Sequence, residues 1–167
     1  MITKGMFSNN SDEWATPQKF YDDLNEEFHF TLDPCATEEN TKCKKYYTKD
    51  QDGLQQDWSN NVVFVNPPYS QAKEWVQKCY WESKNKGVKV VMLIPARTDT
   101  RYFHDFIYGK AEIRFIKGRL KFNESKNCAP FPSMIVIYGG QLNNGQSDSL
   151  LFHKRRNRLC KHRSRQI

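Results

Sequence analysis

The sequence predicts an α/β protein, a doubly wound and mainly parallel sheet that finishes in a C-terminal antiparallel hairpin. Three observations carry this. Residues 62–65 (VVFV) and 88–94 (VKVVMLI) are near-continuous β-branched and apolar runs, as in strands buried on both faces. Between them Ala72, Trp75, Val76, Cys79 and Ser83 share one helical face, which stops near Gly87. Beyond them, residues 111–116 and 133–138 (SMIVIY) read as two further strands.

Taken in order, residues 1–13 are polar and form a loose N-terminus. The folded domain is expected over residues 14–140 and a basic, flexible tail over 141–167. Thr16 is a good helix N-cap and Pro17 suits a first turn, after which Phe20, Leu24 and Phe28 recur every four residues. Residues 28–33 (FHFTLD) read as the first strand, ending at Asp33-Pro34. Residues 34–61 give weaker signals: apolar Tyr46-Tyr47, a turn at Asp52-Gly53, and Asp57-Trp58. Residues 101–108 read as a short helix with Phe103, Phe106 and Ile107 inward. The loop 123–132 carries prolines and separates the last two strands.

At 167 residues the chain suits one domain, and its 38% hydrophobic and 14% aromatic content is that of a folded protein. No apolar run approaches the roughly 20 residues of a membrane span, and the start MITKGMFSNNSDEW does not read as a signal peptide. A cytoplasmic location is therefore expected. The five cysteines are scattered without a CxxC pair, so neither a bound metal nor a disulfide framework is expected. Seven of the 26 Lys and Arg lie after His153 with no acid among them, and the 19 that remain match the 19 acids. Lys154, Arg155, Arg156 and Arg158 open this run. It reads either as a polyanion-binding tail, for nucleic acid above all, or as a solvated terminus.

The stretch that asks most of chemistry is Asn66-Pro67-Pro68-Tyr69, where a buried strand runs into an amide, two prolines and a phenol. Neither proline can donate to the ladder, so a stiff shelf stands at a strand's carboxyl end, the edge where open α/β sheets bind ligands. The Asn66 side-chain oxygen and the Pro67 carbonyl are two acceptors, which suits an exocyclic amine with two coplanar N–H donors. Accepting both hydrogens polarises the nitrogen for attack. Tyr69 offers a face for a base extruded from a duplex, worth about 1–3 kcal/mol. A sulfonium methyl donor completes such chemistry without a metal.

The segments EWATPQKFYDDLNEEFHFTLDPCA, YYTKDQDGLQQDW, VVFVNPPYS, IPARTDTRYFHDF and APFPSMIVIY occur in this order. Together they resemble the phage and prophage family of Dam-like DNA N6-adenine methyltransferases, over roughly residues 11–140. The resemblance implies the seven-stranded, Rossmann-like methyltransferase fold, S-adenosylmethionine as methyl donor and DNA as substrate. It places Asn66, Pro67, Pro68 and Tyr69 on the catalytic shelf. Trp14, Thr16 and Pro17 match a motif that helps hold the donor, together with Asn66. Asp33 matches the acid for the donor's ammonium, and Asp57 the acid for its adenine amine. Read as residues alone, Asp33 is also suited to capping before Pro34, and Asp57 to a turn before a strand.

The sequence departs from the wider pattern after the first strand, where DPCATEEN stands in place of a glycine-rich turn. Arg97 falls on the same sheet edge as Asn66 and suits either a DNA phosphate or a helix start capped by Thr98 or Asp99. His104 reads as structural. Three functions stay open on sequence: adenine N6 methylation in DNA, the same chemistry on RNA adenine or protein glutamine, and a catalytically dead nucleic-acid-binding protein.

Overall fold

The computed structural model describes residues 14–122 and 128–139. Its strands are β1 Leu32–Asp33, β2 Lys45–Tyr46, β3 Val62–Val65, β4 Lys89–Pro95, β5 Glu112–Phe115 and β6 Ser133–Tyr138. They form one six-stranded sheet in the order β2-β1-β3-β4-β6-β5. From β2 to β4 the pairings are parallel, whereas β6 runs antiparallel to both β4 and β5. The sheet is thus mixed. The expected antiparallel partners β5 and β6 do pair, Ile113 opposite Val136, although the long segment between them makes no tight hairpin.

Alternation along β3, β4 and β6 divides the core between the two faces of the sheet. Val63, Val65, Val90, Met92, Ile94, Met134 and Val136 pack with Trp75, Val76 and Cys79 of helix α2 (Ala72–Lys86). Phe64, Val91, Leu93, Ile135 and Ile137 pack with Phe20, Tyr21 and Leu24 of helix α1 (Gln18–Phe28). Each such side chain contributes about 1.5–3 kcal/mol of burial, which fixes both registers, since a one-residue slip would exchange the faces. The Gly87 stop is as expected: it is left-handed (φ 69°) and closes α2 by donating its N–H to Ser83.

Three local expectations change. Residues 28–33 do not form one strand. Phe28 ends α1, His29 turns left-handed (φ 56°), and Asn25 Oδ1 accepts the Phe30 N–H at 2.8 Å, so only Leu32 and Asp33 remain as strand. Thr16 does not cap α1. Pro17 occupies that position and no side chain caps it, because the Thr16 hydroxyl is engaged elsewhere. The segment read as a short helix is wound partly as a π-helix, Phe103–Ile107, with Phe103 and Ile107 buried as expected. Of the cysteines, Cys35, Cys43 and Cys79 are free, whereas Cys128 is disulfide-bonded.

The topology gathers the carboxyl ends of β1, β3 and β4 on one edge. Asp33 ends β1, Asn66 follows β3, and Arg97 follows β4, whose last residue Pro95 pairs with Ser133 at the start of β6. The boundary near residue 140 and the tail 141–167, with Lys154, Arg155, Arg156 and Arg158, lie outside the described residues.

Candidate active site

The shelf begins where β3 ends. Pro67 and Pro68 stop the ladder, and a single 3-10 turn, Tyr69–Gln71, leads into α2, closed by Gln71 N–H donating to the Pro68 carbonyl at 3.0 Å. Asn66 is held by residues far away in sequence. Its Nδ2 donates to the Trp14 carbonyl and to Thr16 Oγ1 (2.9 Å), which engages both amide hydrogens. Two acceptors on one end settle which end is nitrogen. The Oδ1 is left on the other side, with a long 3.4 Å bond from the Tyr69 hydroxyl. Thr16 is buried, so this orientation is protected from water.

Beside the shelf lies a cavity of about 490 Å³, lined among others by Trp14, Thr16, Asp33, Asp52, Asn66 and Trp75. That volume lies within the roughly 300–1,000 Å³ of small-molecule sites. Asp33 is buried and forms no ion pair among the described residues; it accepts long 3.4 Å bonds from the backbone N–H groups of Cys35 and Lys42. Burial pushes its pKa from 3.8 up to about 6, against the lowering effect of those two bonds. A buried carboxylate so short of partners is suited to a cationic ligand. Burial likewise pushes the Cys35 thiol well up, so it is a neutral wall of the site and no nucleophile.

The glycine missing after β1 is supplied from the turn that follows β2. A Cβ on Gly53 would stand 1.9 Å from the Pro34 carbonyl oxygen, so only glycine permits this approach. The Gly53 carbonyl in turn accepts the Trp58 indole N–H at 3.0 Å, and Trp58 stacks on Trp75 at 6.2 Å. The Asp52-Gly53 turn signal was visible in the sequence, but its contact with Pro34 was not.

The structure therefore brings Trp14, Thr16, Asp33, Asn66, Pro67 and Pro68 to one cavity. Tyr69 is not among the lining residues, but its hydroxyl donates to Oδ1 of Asn66, which is one of them. Pro17 is not among the lining residues and starts α1, its carbonyl accepting the Tyr21 N–H at 3.1 Å. Asp57 is not among them either: it is exposed, accepts from Ser59, and pairs with Lys86 at 2.7 Å, which holds its carboxyl far below the usual range. The acid that lines the cavity from this part of the chain is Asp52. Arg97 is exposed and 3.4 Å from Asp99, while its carbonyl accepts from the Thr100 hydroxyl. His104 packs edge-on against Phe103.

The family model for DNA N-6-adenine-methyltransferase (Dam) matches residues 5–158. The chain is similar to a DNA N-6-adenine-methyltransferase of Haemophilus phage HP1 (strain HP1c1), 31% identical over 147 residues, which is 83% of this chain and 85% of the relative. It is also similar to a DNA N-6-adenine-methyltransferase of Escherichia phage T1, 32% identical over 111 residues, 65% of this chain and 46% of the relative.

Two outcomes are expected from this geometry. Gly53→Ala should cost about 1–3 kcal/mol in urea unfolding, as overpacking does, because Pro34 backbone must move. Asp33→Asn should act the other way at neutral pH. With the pKa at about 6 rather than 3.8, the folded state prefers the protonated acid, so stability is lost as pH rises through that window. The variant should exceed the original by up to ~3 kcal/mol above pH ~7 and lose that margin below pH ~4. Urea midpoints across pH that run parallel for both proteins would contradict this.

Proposed function

The chain belongs to the DNA N-6-adenine-methyltransferase (Dam) family, and on that premise we propose how its residues carry out adenine N6 methylation of DNA. The observation that carries the proposal is the fixed amide of Asn66. With Nδ2 bound by Trp14 and Thr16, Oδ1 is the atom left to meet a substrate. An acceptor in that position suits the N6 amine of adenine. The Pro67 carbonyl is the second acceptor of the shelf, since the Pro68 carbonyl is taken by Gln71. Together they draw both amine hydrogens into one plane and turn the nitrogen lone pair toward the cavity.

S-adenosylmethionine fits the cavity and supplies an electrophilic methyl group on a sulfonium. Asp33, buried and short of partners, holds its ammonium; Asp52 takes the role that the resemblance gave to Asp57, with Leu54 and Trp75 along the adenosyl half. Asp33 must be ionised for this, so donor affinity should fall about tenfold per pH unit below the pKa of the free site, about 6. The proton on the alkylated nitrogen leaves after transfer, so the shelf needs no strong base. Tyr69 supplies a stacking face for the base. Arg97, exposed on the same sheet edge, is assigned to a DNA phosphate. In this reading the mixed sheet is the doubly wound, Rossmann-like methyltransferase type, with six strands among the described residues rather than seven.

The test separates orientation from binding. Asn66→Ala should lower methyl transfer to DNA by at least about 10²-fold, as loss of a key polar group at a reacting centre does. Thr16→Val should lower kcat by about tenfold, the worth of one hydrogen bond, and Thr16→Ser should restore it. Because both residues also line the cavity, donor affinity by calorimetry should fall in both, but by less than turnover. Thr16→Val turning over like the original protein would remove the orienting role. Asn66→Ala doing so would remove the shelf itself.

A further inference from the structure

The sheet has two edges, and they are built differently. β2 at one end is two residues long and begins with Lys45, too short and too charged to recruit another strand. β5 at the other end pairs with β6 without a break from Glu112 to Phe115. It holds no proline, lysine or bulge, the features that usually blunt an edge. Ile116 N–H donates to the Ser133 carbonyl at 3.2 Å, which sets the phase of the ladder. Antiparallel alternation then turns the N–H and C=O groups of Glu112 and Arg114 toward β6, and those of Ile113 and Phe115 outward. Among the described residues these outward groups meet no hydrogen-bond partner.

The side chains of this edge form two rows. Ala111, Ile113 and Phe115 lie on the α2 side, where Ala111 and Ile113 join the core but Phe115 is 57% exposed. The exposed large apolar residues among those described are Trp81, Tyr108 and Phe115, and Tyr108 stands only four positions before β5. Glu112 and Arg114 lie on the α1 side. Arg114 is held by Glu112 at 2.6 Å and by Glu27 of α1 at 2.7 and 2.8 Å, so its position is fixed in advance. Both acids keep part of their surface open.

We propose that β5 is a self-association edge, which joins two copies of this chain antiparallel about a two-fold axis at Ile113. The register follows from charge. Outward residues must face outward residues, so the axis passes through a residue of β5 rather than between two. An axis at Glu112 or at Arg114 would set like charges directly opposite, which is destabilising. At Ile113, Glu112 instead faces Arg114 of the second copy, and Arg114 faces its Glu112. The two Ile113 residues exchange their N–H and C=O bonds, and Phe115 falls opposite Ala111 of the second copy, which covers the exposed ring. Each contact occurs twice, as a two-fold interface requires. A strand pair this short implies a reversible association rather than a permanent dimer. β6 separates β5 from β4, so the inference does not depend on the reading of Asn66 to Tyr69.

Sedimentation velocity of the full chain without DNA, from about 1 to 200 μM, tests this. The mass should rise from 19.8 kDa toward twice that value across the range. Phe115→Lys should weaken the association at least about tenfold, as loss of a covered apolar side chain implies. Its far-UV circular dichroism should match the original, because the ring is exposed in a single copy. Mild oxidation reads the register. Ile113→Cys would face itself at a Cα separation of ~5.5 Å, within disulfide reach, and should give a cross-linked dimer. Phe115→Cys would stand more than ~7 Å from its counterpart and should cross-link no more than the original protein does. A monomer throughout the range overturns the proposal. So does a dimer that Phe115→Lys leaves intact, or one that both new cysteines cross-link equally. Should Ile113→Cys fail to fold, the sedimentation of Phe115→Lys decides.

Discussion

The site depends on one side-chain amide being held the right way round. A free asparagine presents nitrogen and oxygen with equal ease, and only the oxygen suits an amine. Here the choice is made by acceptors at Trp14 and Thr16, 52 and 50 residues away in sequence. Each bond adds only about 1 kcal/mol net, less than it costs to order the chain segment that brings it. The docking must therefore come from packing. Trp14 contributes it by lying against Phe122 and Phe131, and Phe20, Tyr21 and Leu24 of α1 contribute it by burial on the sheet. The apolar contacts of the N-terminal segment thus set which atom of the Asn66 amide is left outward.

The donor side carries a local cost that a purely structural design would avoid. A buried carboxylate with a raised pKa destabilises the folded state at neutral pH. Gly53 against Pro34 gives up conformational economy to bring two loops together. Both features are explained if the cavity waits for a cation with a bulky tail, because the ligand then neutralises the acid and fills the space between those loops. The Lys86 bridge holds Asp57 outside, so that acid stays solvated and adds nothing to the field in the cavity.

Much of the fold was legible because long-range burial and local pattern agree in its centre. β3, β4 and β6 are near-continuous apolar runs, and α2 ends at a glycine whose conformation demands it. Where they disagree the sequence misleads. Residues 28–33 look like a strand by composition, yet Asn25 caps the helix across Phe30 and leaves only Leu32 and Asp33 for the ladder. β2 contains Lys45 and one tyrosine, too little pattern to read. Of the residues lining the cavity, Asn66 and Asp33 were legible as candidates from their place at strand ends. Thr16 was read as a cap because cap chemistry is local, whereas its partner is Asn66. Asp57 and Asp52 flank one turn region, and only Lys86, a residue of a distant helix, decides which of them is drawn away.

Under the proposed function, the charges around Asn66 order the chemistry. The cavity holds the acids Asp33 and Asp52, which suit a cationic ligand, while the rings of Trp14 and Tyr69 beside Asn66 carry no charge. In that reading a neutral amine meets Asn66 and becomes cationic only once the methyl group arrives. At that point the positive charge lies beside Asn66 Oδ1, an acceptor that gains strength as charge develops, and against ring faces that attract cations. Stabilisation therefore grows along the reaction instead of being spent on the ground state, which is the condition for a rate gain rather than mere tight binding. A histidine or lysine on the shelf would have removed the proton sooner but opposed this charge. The cavity lining contains no histidine, and its lysines, Lys42 and Lys49, come from the connections around β2 rather than from the shelf.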